Sequence, residues 1–197
     1  MDISKLKPHP KNHRIYASQD LSDLEQSLES HGQLEPITVT KNYKIISGHR
    51  RVAAMKKLGW TDVDVRFVEP ENELIALIEH NRHRTKTASD VLNEAKVLQE
   101  QLKSYVGRGR NAATKRAGKR VKLIDEVASR LNMGTTSLKQ LQSVRNYEPD
   151  LVNKIDNKEI SVGAAYQIVR EKHLLPKRHK LAKQNPEKAT QDFFKQE

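Results

Sequence analysis

"KIISGHRRVAAMKKLGW", residues 44–60, passes from an apolar strand through a glycine into a basic helix. Ile45 and Ile46 lead to Ser47 and Gly48; His49, Arg50 and Arg51 then open a helically spaced run that Gly59 closes. A glycine at a strand-to-helix junction lets a ligand approach the backbone closely, and the free N–H groups of the following turn point at it. Two cations at the positive end of a helix dipole are unfavourable unless an anion joins them. The stretch therefore reads in two ways. Ser47, Gly48, His49, Arg50 and Arg51 cradle phosphate, or the arginines bridge to nearby Asp or Glu and the turn is structural. The local pattern leaves both open.

The neighbouring segments complete a small α/β unit. "PITVT" (36–40) and "YKIIS" (43–47) alternate and are joined at Lys41-Asn42, which reads as a hairpin. "VDVRF" (63–67) is a further strand, and Trp60 and Phe67 are expected in the core. "DLSDLEQSLESHG" (20–32) places Leu21, Leu24 and Leu28 on one helical face, with Asp20 as N-cap and Gly32 as stop. "ENELIALIEHNRHR" (71–84) reads as a helix with Leu74, Leu77 and Ile78 on one face.

Beyond Thr87 the strand patterns end. Residues 89–106 form a long amphipathic helix through Leu92, Ala95, Leu98 and Leu102. Residues 107–122, "GRGRNAATKRAGKRVK", hold seven basic residues and no acidic one, and Gly107, Gly109 and Gly118 argue against a helix there. A helical block follows to about residue 172, in which Ser161 reads as the N-cap of the last helix, then a polar tail from Pro176. The expected division is 1–86, an α/β domain; 87–122, long helix and basic connector; 123–175, a helical domain; and 176–197, the tail. The fold class is α+β.

The whole chain of 197 residues carries a net charge of +11 and no cysteine. The charge favours a polyanionic partner, nucleic acid first and a phosphorylated small molecule second. Disulfides and thiolate metal sites are excluded, and no apolar run approaches a membrane span. With no secretory h-region at the N-terminus, a cytoplasmic protein with no membrane partner is expected.

"LIDEVASRLNMGTTSLKQLQSVRNY", residues 123–147, has helix-turn-helix spacing. Val127 and the small Ala128 lie in the first helix, Leu131 closes it, and Asn132 takes the left-handed turn position. Leu138 and Leu141 face back, which turns Thr135, Thr136, Ser137, Lys139 and Gln140 to a DNA major groove, with Arg145 near phosphates. Arg108, Arg110, Lys115, Arg116, Lys119 and Arg120 of the connector supply salt-dependent backbone affinity. The competing reading is a helical hairpin that only packs on its neighbours. Double-stranded DNA is favoured over RNA, because no aromatic stacking platform is visible.

"LKPHPKNHR", "LEQSLESHGQLEPITV", "IISGHRRVAAMKKLG" and "LIEHNRHR", followed by a helix-turn-helix, together resemble the ParB family of DNA-segregation proteins over about residues 3–172. The resemblance implies a ParB/sulfiredoxin-like N-terminal fold that binds CTP, or another nucleoside triphosphate, with magnesium. On that resemblance Arg14 joins Ser47–Arg51 around the phosphates. Asn81 and Arg84 form a second wall, and Glu79 is the metal carboxylate and candidate catalytic group. Departures weaken the implied chemistry. His49 stands where the family's motif has glutamate, His80 separates Glu79 from Asn81, His83 replaces a glutamine, and Asn12 replaces another. At most slow nucleotide hydrolysis is expected. The residues after Pro176 are too few and too polar for the family's C-terminal dimerisation domain, although a homodimer stays compatible with the rest.

The resulting expectation is a ParB-like DNA-binding protein serving partition or regulation, in a bacterial, plasmid or phage setting, whose nucleotide site modulates DNA engagement. Three alternatives stand beside it. One is a nuclease on the same fold, and another a nucleotide-dependent kinase that would use Glu35 or Glu79 as base; a transcription regulator would have lost the nucleotide.

Overall fold

The computed structural model describes residues 1–16, 20–82, 84–108 and 122–176. They divide into two units, one of Met1–Lys86 with Asn93–Asn132, the other of Thr87–Leu92 with the chain from Met133.

In the first unit three short strands, β1 (Ile37–Val39), β2 (Ile45–Ser47) and β3 (Val65–Phe67), lie in the order β2-β1-β3. β1 pairs antiparallel with β2, Thr38 opposite Ser47, and parallel with β3, Ile37 opposite Val65. The central strand is buried along its whole length, so its sequence is apolar or Thr rather than alternating. The predicted hairpin is present. Tyr43 takes the left-handed conformation (φ 62°) and donates its N–H to the Thr40 carbonyl at 2.9 Å.

Helices α1 (Asn12–Ile15), α2 (Ser22–His31), α3 (His49–Lys57) and α4 (Glu73–His80) belong to the same unit. Ile37, Val39 and Ile45 of the sheet share a core with Leu28 of α2 and with Val52, Ala54 and Met55 of α3. The Asp20 carboxylate accepts from the Ser22 N–H and hydroxyl, and Gly32 (φ 70°) ends α2 with its N–H on the Leu28 carbonyl. Asn72 caps α4 through the Leu74 and Ile75 N–H groups. The helix stops at His80 instead of continuing to Arg84, because the Asn81 side-chain amide donates to the Leu77 carbonyl.

Phe67 corrects an expectation. It is 50% exposed on the edge strand β3 and meets Tyr43 edge to face at 6.1 Å, outside the core that the sheet shares with α2 and α3 among the described residues.

The long helix α5 (Ala88–Arg108) buries Leu92, Ala95, Leu98 and Leu102, as their spacing requires. It continues through Gly107 to Arg108, so the connector starts later than its glycines suggested. The i→i−4 ladder tolerates one glycine at a helix end at about 1 kcal/mol. Of Arg108 only the backbone is described; Arg110, Lys115, Arg116, Lys119 and Arg120 lie outside the described residues. Helix α6 (Leu123–Arg130) completes the first unit.

The second unit packs α7 (Thr135–Tyr147), α8 (Asp150–Asp156) and α9 (Val162–Val169) with the first turn of α5, around Leu92, Leu141, Val144, Val152, Ala165 and Val169. Asp156 accepts from the N–H groups of Ala88 and Ser89 and from the Ser89 hydroxyl, which caps α5 from another helix. Ser161 caps α9 through the Ala164 N–H, as the sequence suggested.

Candidate anion site and helix-turn-helix

β2 delivers the chain to Gly48 in the left-handed region (φ 102°, ψ 17°), and α3 starts at the next residue. A Cβ at position 48 would stand 2.7 Å from Ile37 Cδ1 and 3.3 Å from Arg51 Nη2. Glycine is therefore required both for the backbone and for the space. Among the described residues no side chain caps the turn, which leaves the first N–H groups of α3 for another acceptor. In front of them lies a cleft of about 580 Å³. Ser47, Gly48, His49, Arg50, Arg51 and Ala53 form one wall, Asn12, His13, Tyr16 and Leu21 a second, and Asn81 and Arg84 a third.

Of the sequence-predicted site residues, Ser47 to Arg51, Asn81 and Arg84 are brought together here. Arg14 is exposed on α1, and Asn12 and His13 line the cleft from that helix instead. Glu79 does not line it; Arg130 Nη1 lies 3.4 Å from its Oε1. His83 lies outside the described residues.

The cleft is strongly cationic. Arg50 donates one bond, from Nη2 to the Asp20 carbonyl at 2.9 Å, while its Nε is buried without a hydrogen-bond partner among the described residues. Arg51 donates to the Glu35 carbonyl and lies 3.8 Å from the Glu35 carboxylate, so the bridging alternative holds for this arginine. Burial lowers the Arg51 pKa, with Glu35 opposing. The Arg84 guanidinium rests over the Tyr16 ring at 4.6 Å, a cation–π contact that fixes it at the rim. Tyr16 is held in turn. Its hydroxyl donates to Glu94 Oε1 at 2.5 Å, and Lys86 Nζ reaches Glu94 Oε2 at 2.8 Å. Glu94, on α5, is fully buried.

His49 is buried enough to be pushed down to about 4, burial acting first and the charges of His9 and Arg84 adding to it. Its Nε2 accepts the His9 N–H at 3.1 Å, which places the proton of the neutral ring on Nδ1. His9 accepts from the Lys11 N–H at Nδ1 and turns Nε2 toward Glu73 at 3.5 Å. Burial lowers its pKa as well, against the pull of Glu73. Both shifts have one sign for stability. Between pH 6.5 and about 4 the unfolded imidazole of His49 takes up a proton that the folded one refuses. Stability is therefore expected to fall as pH drops through that window and to level off below it. Urea midpoints measured across it should flatten in His49→Asn; an equally steep profile in that variant would assign the effect elsewhere.

In the segment read as a helix-turn-helix, α6 buries Val127 and Ala128, and the Leu131 N–H bonds to the Val127 carbonyl. Asn132 has φ 55°, the left-handed turn conformation expected of it. On α7, Leu138, Leu141 and Val144 are buried; Thr136, Ser137 and Lys139 are exposed, and Thr135, Gln140 and Arg145 are half-buried.

Tyr16, Leu21, Ala53, Lys86 and Glu94 were not among the sequence candidates. Only Glu94 carried a signal. It stands four residues before Leu98 and three after Val91, so it falls on the apolar face of its helix, where a carboxylate needs buried partners.

The ParB N-terminal domain family matches residues 1–81. A nucleoid occlusion protein of Lysinibacillus sphaericus is 32% identical over 127 residues, covering 57% of this chain and 42% of the relative. A probable chromosome-partitioning protein ParB of Rickettsia bellii is 24% identical over 177 residues, covering 88% of this chain and 55% of the relative. The chain thus spans about half the length of these curated relatives. Among solved structures, a Pnob8-like ParB-N domain superposes with a TM-score of 0.60 at 19% identity, over 85% of this chain and 77% of that one. The C-terminally truncated chromosome-partitioning protein ParB of Caulobacter crescentus, complexed to the centromeric parS site, superposes with a TM-score of 0.54 at 19% identity, over 85% and 82%. At such identities the superpositions speak for the fold, an α/β region followed by a helical one.

Proposed function

We propose that this chain, whose residues 1–81 match the ParB N-terminal domain family, binds double-stranded DNA with site preference through α7 and holds the polyphosphate of a nucleoside triphosphate, CTP or a close analogue, in the cleft at Gly48. One observation carries the nucleotide half. An uncapped helix N-terminus, a glycine that admits no side chain and three arginines converge on one cleft. Arg50 supplies the charge nearest the helix start, Arg84 closes the opposite side, and neutral His49 offers an Nδ1–H donor. The resemblance supplies the identity of the base; the cleft argues only for the phosphates.

The DNA half rests on the turn at Asn132 and on the polar face of α7. Thr136, Ser137 and Lys139 stand exposed there beside the buried Leu138 and Leu141. The name of a relative, chromosome-partitioning protein ParB, and the complex of a solved structure with parS suggest the same class of ligand. Partition of a replicon is the favoured role.

The test is DNA-binding selection followed by anisotropy on the selected duplex, with and without CTP, ATP or GTP. Lys139→Ala with Gln140→Ala should weaken the selected site more than a scrambled one, by about tenfold for a lost base contact of ordinary strength. Nucleotide should change the lifetime of the DNA complex. Equal losses on both duplexes would remove α7 as the reader, and indifference to every nucleotide would remove the modulation.

A further inference from the structure

Magnesium is the partner ion that the family resemblance implies, and the donor set of the cleft does not suit it. A protein holds Mg²⁺ through one or two carboxylates together with the substrate's phosphates. The described lining contains three arginines and two histidines but no aspartate or glutamate. The residues left undescribed nearby in sequence, Ala17, Ser18, Gln19 and His83, contribute none by identity.

Among the described residues, five carboxylates that neighbour the lining residues each have another engagement. Asp20 accepts from Ser22, and Glu35 lies beside Arg51 with its side chain 82% exposed. Glu73 is paired with Lys44 at 2.6 Å, Glu79 faces Arg130, and Glu94 is sealed behind Tyr16 with Lys86. At the helix start, where an acid would be favoured by the dipole, the chain has His49 with its Nε2 already used.

We propose that the cleft takes its polyphosphate ligand as the free anion, with arginines doing the charge neutralisation that a magnesium ion would otherwise supply. Guanidinium groups and Mg²⁺ compete for the same phosphate oxygens, so the metal adds no contact here and removes ligand charge that the arginines need. The inference rests on the nucleotide reading given above and specifies the ionic form of the ligand.

The experiment is calorimetric titration of CTP and of inorganic tripolyphosphate into the full chain, at matched ionic strength, in MgCl₂ and in EDTA. Wild type and His49→Glu are compared, the latter because glutamate at the first helical position restores a carboxylate and suits the helix dipole. Wild-type affinity in EDTA should equal that in Mg²⁺ within about threefold or exceed it. His49→Glu should bind about tenfold or more weakly in EDTA and regain affinity with Mg²⁺. Wild-type binding that requires Mg²⁺ would overturn the inference and leave the nucleotide reading standing. A His49→Glu protein indifferent to the metal would also count against it, since the added carboxylate would then not meet the ligand. Absence of binding in both buffers would overturn the nucleotide reading itself and the inference with it.

Discussion

Glu94→Ala is expected to be the most destabilising single substitution in the chain, at about 3–5 kcal/mol. The carboxylate is fully buried and accepts from the Tyr16 hydroxyl and the Lys86 ammonium, the latter side chain only 8% exposed. Removing the carboxylate takes from the buried ammonium its Glu94 counter-charge and from the phenol its Glu94 acceptor. Replacing the ion pair as a whole is gentler. Glu94→Leu with Lys86→Met and Tyr16→Phe removes all three of these polar groups together, and most of the lost stability should return. Urea unfolding of the single and triple variants distinguishes the two cases, and a triple variant no better than Glu94→Ala would contradict the buried-charge explanation. Tyr16 also carries the Arg84 guanidinium over its ring, so the single variant should loosen one wall of the cleft and weaken anion binding besides.

Gly48→Ala comes next. A non-glycine residue in the left-handed region costs about 1–2 kcal/mol, and a Cβ at 2.7 Å from Ile37 Cδ1 adds an overpacking cost of about 1–3 kcal/mol. Ile37 is wholly buried at the centre of the sheet and cannot swing away. The two costs are separable. Ile37→Val deletes the clashing Cδ1, so the Gly48→Ala penalty measured in that background should shrink to its backbone part. An unchanged penalty would mean that the sheet yields around the new methyl. Because the same movement shifts the start of α3, anion binding should fall with stability in the single variant.

Much of this fold was legible in the sequence because its signals are local. The helix stop at Gly32, the hairpin at residues 40–43, the left-handed Asn132 and the Ser161 cap are each written in a few adjacent residues. So was half of the cleft, since Ser47 to Arg51 are consecutive. Phe67 was misread for want of topology. Alternation says that a side chain lies on one face of a strand, not whether another element covers that face. Tyr16 was missed for a similar reason, because its partners Glu94 and Arg84 lie far along the chain. Arg50 and Arg51 look alike in sequence, yet the fold ties one to Glu35 and leaves the other with a buried Nε that has no hydrogen-bond partner among the described residues. No helix among the described residues is long and apolar enough to cross a membrane, in keeping with the hydropathy of the chain.

The central claim is that the helix start at Gly48 holds phosphate, and calorimetric titration of CTP, ATP and GTP into wild type and Arg50→Ala tests it most directly. The account predicts saturable binding of at least one of these nucleotides to wild type. Arg50→Ala, with its fold verified by circular dichroism, should bind that nucleotide at least about tenfold more weakly, the scale of one lost charge-assisted contact. Equal affinity in the two proteins, or no binding to wild type, would contradict it and leave the arginines as a structural turn.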